Sequence, residues 1–407
     1  MDEETEGLDT EDVAEGPTDL PEPLQTLLLQ ASYDRATDVH LDPVEEGLAI
    51  RFRVDGMIHV KETVSESTGH RLQNQIRVAA GLDTEALFVP TEAQIRWSEG
   101  EEERDVRVVV GPTGTGEATH LRLLYAAEKL RHVETLGMSE DDLGKVLSTI
   151  KVPAGLLVVG GQTGTGKTTT LYSIVSALDL DTTIAVSVED PVEFEVPGLR
   201  QFSVDREHGL TIFEGLRVIL RMDPDVILVG EIRDQQSAIT AARAALAGRL
   251  VLATTHAVDA ATAVQALHYL SVPYHIIGGC LRLVVAQNLI RRVCSQCAGA
   301  RPLRDEERKL FDQAGIEPPD EVAEAVGCEE CSQYGYMGRT GVFETAVVDS
   351  AIADAITAGT VLDELRQRFR DEGVRSMLHD ALSKVAEGVT TMEEVYQFYW
   401  PGRGMAG

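Results

Sequence analysis

GLLVVGGQTGTGKTTTLY, residues 155–172, joins three local signals in one stretch. Its first part, GLLVVG, is apolar on both faces, as a parallel strand covered from both sides would be. The next part, Gly161-Gln162-Thr163-Gly164-Thr165-Gly166-Lys167-Thr168, fits G-x-x-x-x-G-K-[ST]. Thr169 and the residues after it read as a helix. Strand, glycine-rich loop and helix in that order make a phosphate site. The glycines let backbone N–H groups curl around phosphate oxygens, and the helix N-terminus favours the anion. Lys167 adds a point charge at the β/γ-phosphates, and the Thr168 hydroxyl suits Mg²⁺. The expected nucleotide set is therefore Gly161 through Thr169, with ATP as ligand.

Working outward, Thr183–Val188, Val226–Val229 and Leu250–Thr254 are further buried runs separated by helical patterns. That alternation predicts an α/β fold on a parallel sheet. Residues 341–400 read as helices. Upstream, a first helix is expected from Leu24 to Tyr33, then short strands at Asp38–Leu41, Leu48–Val54 and Met57–Val60. Asp55-Gly56 marks a hairpin. A helix over 68–80 follows. Strands near Gln94–Trp97 and Val106–Val110 are expected to be joined by an acidic loop, SEGEEERD, and a strand at 120–125 closes a small α+β domain. The predicted organisation is an acidic disordered tail at 1–22, the α+β domain at 23–125, a linker at 126–137 and an α/β domain at 138–407 that carries the phosphate loop. Residues 111–119, GPTGTGEAT, imitate the phosphate loop in letters. Glu117 stands at the lysine position and would repel phosphate, so the stretch reads as a turn between strands.

A phosphate loop needs acids on neighbouring strands. VILVGEIRD (226–234) supplies Glu231, placed to polarise an attacking water. Gly230 stands where an Asp often precedes such a Glu. Glu189, Asp190 and Glu193, after the strand at 183–188, are then the source of ligands for Mg²⁺-bound water, or else capping groups on a loop surface. His256 ends the run LVLATTH, where it would sense the γ-phosphate or serve the core.

The formal net charge of −31 excludes broad nucleic-acid binding, which needs a basic footprint. The charge is concentrated in residues 1–22, 98–106 and 305–330. Residues 261–304 carry no acid and five arginines, which predicts contact with an acidic surface through Arg291 and Arg292. No apolar run reaches membrane-span length, and the acidic start has no signal-peptide pattern, so a cytosolic chain is expected. Cys280 sits in an apolar run as a core thiol. Cys294/Cys297 and Cys328/Cys331 form two C-x-x-C pairs. Four thiolates suit a closed structural Zn²⁺ site, and the alternative is four reduced thiols.

With these residues in place, the sequence resembles the secretion-ATPase superfamily, the cytosolic ATPases of type II secretion and type IV pilus assembly. The resemblance rests on TDVHLDP (37–43), RFRVDG (51–56), VGGQTGTGKTTTLY (159–172), VEDPVEF (188–194), GLRVILRMDPDVILVGEIRD (215–234), GRLVLATTH (248–256) and GRTGVFE (338–344). The four cysteines match the assembly-type branch, with its zinc module at 290–340 and a C-terminal helical region at 341–400. The resemblance implies a PAS-like N-terminal domain and a RecA-like P-loop domain in a homo-hexamer. It implies ATP-driven motion that turns an inner-membrane platform protein, with a membrane-anchored adaptor as a further partner. The motor would sit in the cytoplasm, held peripherally at the inner membrane. Lys167 and Thr168 map to the phosphate loop, and Glu189, Asp190 and Glu193 to the acidic box. Glu231 maps to the catalytic glutamate and His256 to the His box. Arg107 falls where the family places a phosphate-contacting arginine. Arg51 and Arg53 are either similar contacts or internal salt-bridge partners.

The sequence departs from the family in four places. Thr91-Glu92-Ala93, read as a turn, is followed by Gln94 where an arginine is usual, with Arg96 nearby. Gly111–Glu117 replaces a Thr-Val-His-Gly-Glu loop. The His box continues Ala257-Val258-Asp259 instead of Thr-Asn-Asp. The adaptor-docking domain gives way to the acidic 22 residues. An assembly component that binds nucleotide with little hydrolysis is therefore the alternative to a motor.

Overall fold

The computed structural model describes residues 20–84, 89–99, 102–124 and 130–398. Most of the acidic tail predicted at 1–22 lies outside these residues, as do 125–129. The chain divides into two compact units, Met1–Glu128 and Lys129–Gly407, each described by itself.

The first unit holds helices α1 (Glu22–Tyr33) and α2 (Glu66–Ala79) and strands β1 (Ala36–Val44), β2 (Gly47–Val54), β3 (Met57–Val64), β4 (Thr91–Glu99), β5 (Glu102–Thr113) and β6 (Gly116–Leu124). They form one antiparallel sheet in the order β3-β2-β1-β6-β5-β4. One face is apolar: Leu41, Phe52, Ile95, Val106 and Leu121 are buried with Leu24, Leu28 and Ile76 of the helices. Alternate residues put Asp38, Arg107 and Arg122 on the other face. Two expectations need correcting. Thr91-Glu92-Ala93 is the start of strand β4, with Thr91 opposite Val110. The acidic stretch is mostly strand, with Ser98 opposite Glu103 and Glu99 opposite Glu102. An edge strand carries charge without loss of backbone pairing, so charge there did not mean loop.

The second unit is built on a seven-stranded sheet: β7 (Gly155–Gly160), β8 (Ala185–Glu189), β9 (Arg200–Ser203), β10 (Val226–Val229), β11 (Leu250–Thr255), β12 (Leu281–Val293) and β15 (Tyr336–Val347), in the order β15-β12-β7-β11-β10-β8-β9. Every pairing is parallel except β12 with β15. Strands β7, β8, β10 and β11 are buried throughout, which explains their unbroken apolar runs. Helices α3 (Glu140–Thr149), α4 (Lys167–Ser176), α5 (Ile212–Ile219), α6 (Gln235–Leu246), α7 (Ala260–Tyr269), α8 (Tyr274–Cys280), α10 (Ser350–Thr357) and α11 (Leu362–Asp371) cover the faces. A smaller core joins α9 (Asp305–Ala314), α12 (Met377–Ala386), α13 (Met392–Val395) and the two-stranded sheet β13 (Gly299–Pro302) with β14 (Glu321–Glu324).

Residues 341–347, expected to be helical, belong to β15. Apolar and β-branched residues buried on both sides of a strand cannot be told from a buried helix by periodicity. Residues 133–137, read above as linker, bury Val133 and Leu136 in the core of the second unit.

Candidate active site and metal centre

The phosphate loop leaves the C-terminal end of β7, where open parallel sheets place their ligands. Three of its glycines have positive φ: Gly161 at +156°, Gly164 at +81° and Gly166 at +84°. At Gly161 a Cβ would stand 2.5 Å from Thr165 Oγ1 and 2.7 Å from the Gln287 carbonyl oxygen, so the tight turn excludes any side chain. Gly166 is the N-cap of α4, which directs the free amides of that helix into the loop. Gln287, on β12, donates from Nε2 to the Thr165 carbonyl at 2.6 Å. Lys167 Nζ donates back to the carbonyls of Gly161 (2.8 Å) and Gln162 (3.0 Å), so the ammonium is held over the loop. Burial pulls its pKa below the usual lysine range, and the nearby Glu231 charge opposes that. Thr168 is half-buried at the first turn of α4.

Glu231 follows β10 and His256 follows β11, the strand between β10 and β7. His256 Nε2 contacts Glu231 Oε1, and Arg233 donates from Nε to Glu231 Oε2 at 2.7 Å. The carboxylate that would polarise water is therefore held between two basic side chains. Gly230 has a steric reason: a Cβ there would stand 3.1 Å from the Glu189 Cα. The ends of β10 and β8 approach closely there, so a side chain would require the strand ends to give by a few tenths of an ångström.

The acidic box is not one cluster. Glu189 is 2% exposed. It accepts the Tyr172 hydroxyl, the Ser187 hydroxyl at 2.6 Å and Gln201 Nε2 at 3.2 Å. Its oxygens accept from Tyr172 on α4 and from neighbours on β8 and β9, which sets it in the core behind Asp190 and Glu193. Burial and the Glu189 charge push the Tyr172 phenol far above its usual range, so it remains a donor. Asp190 is exposed and paired with Arg206 at 2.7 Å. Glu193 is exposed and is the carboxylate of the three left facing solvent without such a pairing in the described contacts.

Arg107 stands in the first unit, opposite Gln94 on β4 and 3.7 Å from Glu92. Gln94 and Arg96 are both exposed, two residues apart on one face, and Arg96 pairs with Asp105. Arg51 binds Asp42 at 2.8 Å and Arg53 binds the Gly56 carbonyl at 2.8 Å, so both have partners inside the unit. The imitation loop at 111–119 is the β5–β6 hairpin. Glu117 binds Arg77, which is 1% exposed on α2. It is a half-buried carboxylate that pairs with a buried guanidinium.

Cys294, Cys297, Cys328 and Cys331 bring their sulfurs within 4.8 Å of one another. Cys294–Cys328, Cys297–Cys331 and Cys328–Cys331 separations are 3.9, 3.8 and 3.7 Å. A tetrahedron with Zn–S bonds near 2.3 Å has edges of about 3.8 Å, so the donor set fits Zn²⁺. Burial favours the neutral thiol of Cys331, but the Cys328 and Gly335 amides aimed at its sulfur outweigh that and hold it down to about 7. Cys280 is buried apart from this cluster, and burial pushes its thiol up to about 11.

Comparison with known proteins agrees with this geometry. The family described as Type II/IV secretion system protein matches residues 14–397. The chain belongs to this family. It is 38% identical to the type II secretion system protein HxcR of Pseudomonas aeruginosa over 393 residues, covering 97% of this chain and 79% of that one. It is 36% identical to the type II secretion system ATPase E of Vibrio cholerae, covering 95% and 76%. It is 34% identical to the type IV pilus assembly ATPase PilB of Thermus thermophilus, covering 91% of this chain and 42% of PilB. Among solved structures it resembles the ATPase DotB of Legionella pneumophila, with a TM-score of 0.69 at 19% identity over 94% of this chain and 97% of DotB. It also resembles the ADP-bound pilus retraction motor PilT, with a TM-score of 0.58 at 19% identity over 92% and 96%. At that identity these two likenesses show the fold alone.

In this secretion ATPase, sequence reasoning missed Gln287, Tyr172 and Gln201. Each is a polar residue in or beside an apolar stretch, which is the signal that was available. The acid-free stretch 261–304 also needs correction. Arg291 binds Glu394 at 2.7 Å and lies 3.9 Å over the Tyr336 ring, and Arg301 binds Glu307 at 2.8 Å. Their charge is used inside the secretion ATPase, and Arg292 is the exposed one of the adjacent pair. Among the described residues no helix is long and apolar enough to cross a membrane.

Proposed function

We propose that this chain is the ATP-hydrolysing motor of a type II secretion pseudopilus or a type IV pilus. The contact of Glu231 with His256, beside the Lys167 loop, carries the reading, because it gathers phosphate binding and water activation at adjacent strand ends. Gly161 to Thr169 would bind ATP, with Lys167 at the β/γ-phosphates. Glu231 would orient and deprotonate the attacking water, and His256 would report the γ-phosphate to it. Mg²⁺ would be held by Thr168, with Glu193 and Asp190 as the acids reaching solvent; when bound it would neutralise phosphate charge. Arg107 would be a phosphate contact of a PAS-like domain at 23–125, and the ATPase domain would begin near Lys129, with Val133 and Leu136 in its core. The four cysteines would hold a structural Zn²⁺, with no vacancy for water.

The working form would be a homo-hexamer at the cytoplasmic face of the inner membrane, driving a platform protein and bound by an adaptor. Gln94 favours a second reading in which hydrolysis is slow without a partner, since a neutral side chain stands opposite Arg107 where the family carries a second arginine. Adding the platform protein's cytoplasmic domain to the hexamer is the test. The motor reading expects ATP turnover to rise severalfold. Turnover that stays at background with that domain bound leaves the nucleotide-binding component as the function.

A further inference from the structure

The loop that carries His256 is only four residues long, from the end of β11 to the start of α7. Its last residue, Asp259, caps α7: Oδ1 accepts the Thr262 amide at 2.6 Å, and Thr262 Oγ1 accepts the Asp259 amide at 3.0 Å and the Val258 amide at 3.2 Å. That exchange completes a capping box from local residues alone. Two groups from far along the chain are added to it. Glu344 of β15, 7% exposed, accepts the Ala260 amide at 2.8 Å. Arg366 of α11 donates from Nε to Asp259 Oδ2 at 2.9 Å, with Nη2 2.9 Å from the same oxygen and Nη1 donating to Asp363 at 3.1 Å. On its other side the loop lies on the phosphate-loop strand, since a Cβ at Gly160 would stand 2.7 Å from the Ala257 carbonyl oxygen. The His256 loop is thus clamped between β7 and α11.

The helix cap does not need Arg366. A charge-assisted bond from a residue 107 positions away adds rigidity to the loop rather than to the helix. We infer that Arg366 is a positioning residue for hydrolysis: through Asp259 it fixes the loop that presents His256 to Glu231, so α11 sets the hydrolytic rate. The inference rests on the roles proposed for Glu231 and His256. It makes α11 the route by which anything that moves the C-terminal helices reaches the reacting end of the sheet.

The test compares Arg366→Gln, Arg366→Lys, His256→Ala and the Arg366→Gln/His256→Ala double variant in the full chain. The readouts are kcat and KM for ATP, with hydrogen exchange of the 256–262 amides. Arg366→Gln is expected to lower kcat about tenfold with KM within about twofold, and to speed exchange at 256–262 but not at 161–168. Arg366→Lys, which keeps the charge and loses the planar Nε donor, is expected to recover about half of that loss. In the His256→Ala background, Arg366→Gln is expected to cost nothing further. A full additional tenfold loss in that background, or unchanged exchange at 256–262, overturns the inference. If His256→Ala itself leaves kcat unchanged, the proposed role of His256 fails first, and this inference with it. Should Arg366→Gln not fold, Arg366→Lys carries the same comparison, with about a threefold loss that must vanish without His256.

Discussion

Replacing Gln287 by leucine separates a bond that shapes the nucleotide loop from one that merely holds the fold. Gln287 is 3% exposed and gives its Nε2–H to the Thr165 carbonyl at 2.6 Å. Thr165 is itself 5% exposed, so the carbonyl left behind has little access to water. Leaving such a group unpaired costs about 1–3 kcal/mol. That cost falls on the loop conformation that binds phosphate, because Thr165 lies inside the loop and Gln287 lies on β12. The binding-competent loop is then one of several, and apparent affinity drops by the fraction lost. At 1.4 kcal/mol per decade, about 1–3 kcal/mol becomes roughly five- to 150-fold, and about tenfold is the central expectation. Fluorescence titration with a labelled ADP measures this, with thermal melting of the same samples as control. Gln287→Glu should be worse, since it adds a carboxylate beside the phosphates and removes the donor. The reasoning is refuted if affinity for ADP stays within about twofold while the melting temperature falls, because the bond would then serve the fold alone.

Three further outcomes are expected. Glu117→Gln removes the partner of a guanidinium that is 1% exposed, and breaking such a buried pair costs about 3–5 kcal/mol; urea unfolding followed through buried Trp97 should show a clear early transition of the first unit, and an unchanged midpoint would contradict it. Burial raises the Glu344 carboxyl from the ordinary 4.5 to about 7. A raised native pKa means the contribution to stability is complete below about pH 4.5 and lost as pH rises through 7. Glu344→Gln should therefore melt above wild type at pH 8, by on the order of 3 kcal/mol at most, and the gap should close at pH 5; a gap independent of pH would count against a buried, titrating carboxyl. Protein purified without chelator should carry one Zn²⁺ per chain by elemental analysis, with the four clustered thiols protected from a thiol reagent until chelator is added; substoichiometric zinc would remove the metal centre.

The sequence made the nucleotide half of the site legible and left its surroundings obscure. Strand β10 was read at its true ends, because four buried apolar residues between Asp225 and Gly230 have little else to be. The imitation loop was resolved by one residue, Glu117, whose charge forbids phosphate. Glu189 shows what spacing alone cannot say. Its neighbours in sequence are acids on a loop, but it is the last residue of a fully buried strand, and two-residue parity puts it with Ser187 against Tyr172. The same parity would have flagged Gln201 on β9. Gly230 read as a missing acid, yet it is a contact between two strand ends that only a pairing register reveals. The arginines of 261–304 looked free because their acids, Glu307 and Glu394, come later in the chain and are joined to them only by the fold.

If the Glu231 carboxylate drives hydrolysis at the Lys167 loop, replacing it removes turnover and spares nucleotide binding. Steady-state ATP hydrolysis by wild type and Glu231→Gln, each with its measured affinity for ATP, tests it directly. Removing a positioned general base costs about 10²–10⁴-fold. Glu231→Gln is expected to lose kcat in that range with ATP affinity retained, and turnover at the wild-type rate would rule out Glu231 as the general base.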